Sequence, residues 1–134
     1  MIELSNSAAQ TIPVGGAVTF DVVLLKSGCD VCFNSMLPTS VKLNQRRIYD
    51  VEFQGNITSD TAATPVQLSI AIAGSAIPQT AMDSVPTAAN DLNHVNAGTY
   101  VRNCCRDVDR ISVINSGTNP VTLAANSLLR VFSI

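Results

Sequence analysis

The chain has 134 residues and a mass of 14.1 kDa, enough to enclose one well-filled core and short for two. Its net charge is −2 and its Lys and Arg are scattered, which excludes the basic surface that nucleic acid or an anionic membrane demands. Charged residues make up only 13% of the chain, against ~25% in an ordinary domain, while the apolar share of 46% is unexceptional.

Ser, Thr, Asn and Ala must then cover much of the surface. A small domain of that kind is expected to hide part of itself against a partner, so an oligomer is expected. No apolar run approaches the roughly 20 residues that span a bilayer, and the start lacks the basic and apolar pattern of a signal peptide. The chain therefore reads as soluble, with no membrane insertion and no export signal of its own.

Taken in order, the segments read as strands, and no helix is expected. "AVTFDVVLL" (17–25) alternates through Val18, Phe20, Val22 and Leu24. "SVKLN" (40–44) follows, then "RRIYDVEFQGNIT" (46–58), with apolar Tyr49, Val51, Phe53 and Ile57 set against polar Asp50, Glu52 and Gln54. "PVQLSIAIAG" (65–74) alternates through Val66, Leu68, Ile70 and Ile72. Residues 82–98 are rich in Asn, Asp, Ala and Pro and read as a long surface connection. "TYVRNCC" (99–105), "DRISVINSG" (109–117), "NPVTLAA" (119–125) and "SLLRVFSI" (127–134) complete the series. Turn residues separate the segments at Gly15-Gly16, Ser27-Gly28, Gly74-Ser75, Ser116-Gly117 and Asn119-Pro120. Short strands at such intervals predict a single all-β domain over 1–134, an antiparallel sandwich or barrel whose last residues are tied into a sheet.

The candidate chemistry is sparse. Asp50 and Glu52 lie two apart on one strand face, roughly 7 Å from one another at about 3.3 Å rise per residue. Paired carboxylates at that distance suit glycoside hydrolysis, but the reaction needs a cleft and one acid raised by burial. Strand alternation instead predicts an exposed face, paired with Arg46, Arg47 or a neighbouring strand. Asp107 and Asp109 could ligate calcium, yet a hard cation wants six or more oxygens, and Arg106 and Arg110 beside them favour surface ion pairs.

Cys29 and Cys32 form a Cys-x-x-Cys half-site, while Cys104 and Cys105 are adjacent and aim to opposite faces of a strand. Zinc, a disulfide, and reduced structural thiols all remain open for these four. His94, the only histidine, sits in the expected loop, and no nucleophile elbow or phosphate-binding loop accompanies it. Asn56-Ile57-Thr58 matches a glycosylation sequon. No cofactor is expected, and the chain does not read as an enzyme.

The order of "FDVVLLKSG", "SVKLNQRRIYDVEFQGNIT" and "DRISVINSGTNPVTLAANSLLRVFSI" resembles the TNF-like and complement globular-head jelly rolls. It looks closest to versions in phage fibre or head proteins and at the heads of bacterial collagen-like surface proteins. In that superfamily a turn precedes an aromatic-x-Val-x-Phe strand, matched by Tyr49, Val51 and Phe53, although Arg46-Arg47 stand where Pro-Gly or Ala-Gly is usual.

The resemblance implies a ten-stranded jelly-roll sandwich assembled as a homotrimer around a threefold axis, which would account for the charge deficit. It makes Tyr49, Val51, Phe53, Tyr100 and Phe132 candidates for the core or the axis. The function it implies is a structural and binding head of a virion fibre or decoration protein, displaying loops to a host glycan or receptor; irregular sequence makes 28–37 and 83–97 the candidate loops. The alternatives are the adhesin head of a collagen-like surface protein and, further off, a carbohydrate-active enzyme on the same sandwich.

Overall fold

The computed structural model describes residues 1–103 and 109–134. Among the described residues thirteen strands form, and the only helix is a 3-10 turn at Pro78–Thr80. The first six strands are β1 (Ile2–Ser5), β2 (Gln10–Ile12), β3 (Val22–Lys26), β4 (Val31–Phe33), β5 (Val41–Leu43) and β6 (Ile48–Thr58). Then come β7 (Val66–Ile72), β8 (Ser75–Ala76), β9 (Met82–Ser84), β10 (Asn93–Arg102), β11 (Asp109–Asn115), β12 (Val121–Leu123) and β13 (Leu128–Ser133).

All pairings are antiparallel, in two sheets. In the first, β6 is central: β10 lies along one side of it, β13 and β12 along the other, with β1 and then β3 beyond β13, and β2 beyond β12. The second runs β4-β5-β11-β7, with β8 and β9 both pairing to the far side of β7. This is the expected all-β jelly-roll sandwich; two- and three-residue strands such as β8 and β9 carry the count past ten.

Alternation decides what is buried. Along β6, Tyr49, Val51, Phe53 and Ile57 point between the sheets, where they meet Leu68, Ile70, Ile111 and Val113 of the second sheet in one apolar core. Gly55 falls on the same inward face, where a Cβ would lie 3.0 Å from Leu123 Cδ1 and 3.2 Å from Ser127 Cβ. Glycine is thus the residue that lets β12 and the turn before β13 close over β6.

Two expectations change. The segment 17–25 is not one strand: Ala17 bridges to Ile114 and Val18 N–H bonds to Val113 O at 2.8 Å in the second sheet, whereas β3 pairs with β1 in the first. The chain changes sheet at Asp21, whose carboxylate accepts from both the amide and the hydroxyl of Ser7. One period-2 pattern thus spans a crossing, since Val18 and Phe20 are buried while Val23, Leu24 and Leu25 are all exposed. The connection expected over 82–98 is largely strand, with only residues 85–92 between β9 and β10. Asn and Gly are tolerated in β10 because it is an edge strand, mostly open to solvent.

Candidate functional site

The outer face of the first sheet gathers the side chains that alternation keeps out of the core. Register places Tyr100, Asp50 and Phe132 in one cross-strand row, and Gly98, Glu52, Arg130, Glu3 and Leu25 in the next. In the second row Arg130 lies between two acids: its Nε donates to Glu3 Oε1 at 2.8 Å and its Nη1 to Glu52 Oε2 at 3.2 Å. Hydrogen bonding to Glu3 and the charges of both acids hold the guanidinium above its ordinary pKa. Gly98 puts no side chain opposite Glu52, so a shallow hollow of about 320 Å³ opens between β10 and β13, lined by Glu52, Gln54, Asn96, Leu128 and Arg130.

Apolar groups flank this polar row. Tyr100 is 69% exposed, and Ile48, Leu25 and Ile134 are also open to solvent. Tyr49, Val51 and Phe53 belong to the core of the single chain, whereas Tyr100 and Phe132 lie on the opposite face of the sheet. The two groups of candidates therefore separate into core and outer face.

The carboxylates Asp50 and Glu52 do share that outer face, but Glu52 is 48% exposed and bound to Arg130. Partial burial, and then the charge of Glu52, raises the Asp50 carboxyl above the ordinary aspartate value. Neither Arg46 nor Arg47 pairs with them; the neighbouring strand pairs with Glu52 alone, through Arg130. That role for Arg130 was invisible in the sequence because it depends on the β6–β13 register.

The other candidates do not converge. His94 is in strand β10, opposite Asn56 and exposed, not in a loop. Asp109 is buried at the start of β11, which removes it from an exposed calcium site, and Asp107 lies outside the described residues. Cys29 is exposed ahead of β4, Cys32 is half-buried within it, and both thiols are free; Cys104 and Cys105 lie outside the described residues. Among the described residues, no three His, Cys, Asp or Glu side chains come together as a metal site.

Both chain ends meet at one pole, where Met1 N and Ser133 N each bond to the Asp30 carboxylate at 3.1 and 3.3 Å. Burial alone would raise Asp30, but the Ser133 amide and the Met1 ammonium hold it down to about 2. Residues 85–92 lie at the opposite pole, beside 59–63, where Ala63 N–H bonds to Pro86 O and Asn90 N–H to Ser59 O, each at 2.8 Å. The two loop stretches expected to face a partner are thus split, since 28–30 lies at the pole of the termini.

No protein-family model and no curated protein matches the chain. Among solved structures, the globular domain of zebrafish complement 1qA protein superposes with a TM-score of 0.72 at 11% identity, over 99% of this chain and 95% of that one. The fold is that of a complement globular head. A family 35 carbohydrate-binding module from Clostridium thermocellum aligns over 98% of each chain at 14% identity, with a TM-score of only 0.42, too loose to add to that assignment. Within the globular-head fold, the sheet carrying Tyr100 and Arg130 is built around the longest strand, β6, and presents the broad face just described.

Proposed function

We propose that the chain is a non-enzymatic head domain that joins three copies through the outer face of its first sheet and presents loops to a binding partner. The observation that carries this reading is that one face combines exposed Tyr100, Ile48 and Leu25 with the Glu3–Arg130–Glu52 row. Apolar groups supply the driving force for association, the Glu3–Arg130–Glu52 charges are paired within each copy, and Asp50, which has no ion-pair partner among the described residues, already has its pKa raised toward the neutral form. Three copies around an axis are what the sequence resemblance implies, and the fold likeness to a complement globular head is in keeping with that resemblance. Threefold repetition then raises weak contacts, such as those to a glycan or receptor, by avidity.

The setting we favour is a phage virion, as a fibre or decoration head; the adhesin head of a bacterial collagen-like protein is the alternative. An Asp on the outer face at position 100 would place three carboxylates near the axis with no partner. Tyr100→Asp is therefore expected to convert the assembly to monomers in sedimentation, while Thr118→Asp at the far pole leaves it intact. Equal assembly of both variants would contradict the reading.

A further inference from the structure

Gly98 is tolerated in the edge strand β10, but the single chain does not require it. Its backbone lies outside the left-handed region, since the glycines with positive φ are Gly15, Gly28 and Gly74. A Cβ at Gly98 would lie 3.4 Å from Glu52 Cγ and 3.7 Å from Val51 O, ordinary van der Waals contact, in contrast to the 3.0 Å approach of Leu123 that calls for glycine at Gly55. A glycine inside a strand forgoes side-chain packing and costs conformational entropy, and it marks places where another group comes close to the backbone. Among the described residues nothing comes that close to Gly98, which points to a group from outside the chain.

The space left there is the hollow of about 320 Å³ between β10 and β13. Register sets its composition: Gly98, Glu52 and Arg130 form one cross-strand row, and Asn96, Gln54 and Leu128 form the row beside it. Its floor is therefore bare backbone at Gly98, Leu128 gives it an apolar wall, and the Gln54 and Asn96 amides offer hydrogen-bonding groups. An occupant with an apolar body and a polar tip matches that lining, whereas a purely aliphatic one would cover the amides without pairing them. Tyr100 is such a group: among the described residues it is the only exposed Phe or Tyr, and it stands on the same face of β10, two residues or about 7 Å from Gly98. It does not line the hollow of its own chain, and its ring is left open to solvent.

We infer that the Gly98 hollow of each copy receives the Tyr100 ring of the next copy. The inference rests on the proposed joining of three copies through this face, and it adds which groups meet there. A knob and a hollow side by side on one strand both lie near the axis when that strand does. Each Tyr100 then turns to the Gly98 of its neighbour, and the contacts close into a ring with no knob or hollow left over. The tyrosine ring would rest on the Gly98 backbone and against Leu128, with its hydroxyl toward the Gln54 and Asn96 amides. Arg130 and Glu52, which border the same hollow, are already paired with one another, and Arg130 also with Glu3, so the ring covers no unpaired charge there.

The test is sedimentation of the intact chain along a dilution series, reading the concentration at which half the chains are assembled. Gly98→Val fills the hollow from an open face of the strand and is expected to raise that concentration roughly tenfold or more, as for the loss of one well-packed aromatic contact. Gly98→Ala, with less added bulk, is expected to fall between the parent and Gly98→Val, and it decides the matter should the bulkier variant fail to fold. Tyr100→Ala is expected to match Gly98→Val. Because either change removes the same contact, Gly98→Val added to Tyr100→Ala is expected to cost little more, the non-additivity of groups that touch. An assembly indifferent to both glycine substitutions, as a glycan or a different protein in the hollow would give, overturns the inference. Full addition of the two losses in the double variant overturns it as well, and either result leaves the three-copy reading standing. A parent chain that is monomeric throughout the series overturns both.

Discussion

Tyr49 shows how one residue can serve the core and a loop at once. Its ring is fully buried, while its hydroxyl donates to Gln45 O at 2.9 Å, with Asp30 O at 3.1 Å, and accepts from Gln45 N at 3.2 Å. Tyr49→Phe keeps the packing and leaves Gln45 N–H without its partner, while Gln45 O keeps Arg47 N–H and Asn103 Nδ2 and Asp30 O keeps Asn44 N–H, so a loss of about 1 kcal/mol in chemical unfolding is expected. Asp30 contributes through ionisation instead. Its folded pKa of about 2 lies below the ordinary 3.8, so its contribution is full above pH 3.8 and is lost as pH falls toward 2. Stability measured across that window should fall by about 2 kcal/mol more in the parent than in Asp30→Asn. An identical acid profile for the two would show that the carboxylate is not held by its partners.

At the scale of elements, β6 and β12 approach closely at Gly55. Gly55→Ala forces a methyl group against Leu123 and Ser127, which are themselves buried, and is expected to cost about 1–3 kcal/mol by calorimetry. A neutral result would mean that β12 can move outward. The strands themselves were legible wherever one face is buried: the inward set of β6 follows directly from the alternation of Tyr49, Val51 and Phe53. What could not be read was pairing. The sheet crossing at Asp21 hides inside a continuous alternation, β10 hides behind Asn and Gly that an edge strand tolerates, and the Glu3–Arg130–Glu52 row joins residues distant in sequence. The Gly98 hollow was hidden for the same reason, since only the registers of β10 and β13 on β6 set Gly98 in a row with Glu52 and Arg130.

For the whole molecule, the scarcity of charge and the character of the first sheet describe the same surface from two directions. A face with Tyr100, Ile48 and Leu25 exposed around an internally satisfied ion row suits contact with copies of itself better than contact with water. A stable interface needs about 800 Å² from each partner, an area that a sheet of seven strands can supply. The measurement that tests this most directly is light scattering on the chain at micromolar concentration and neutral pH. The account predicts a stable species at three times the 14.1 kDa monomer mass, unchanged on dilution. A clean monomer over the same range would contradict it.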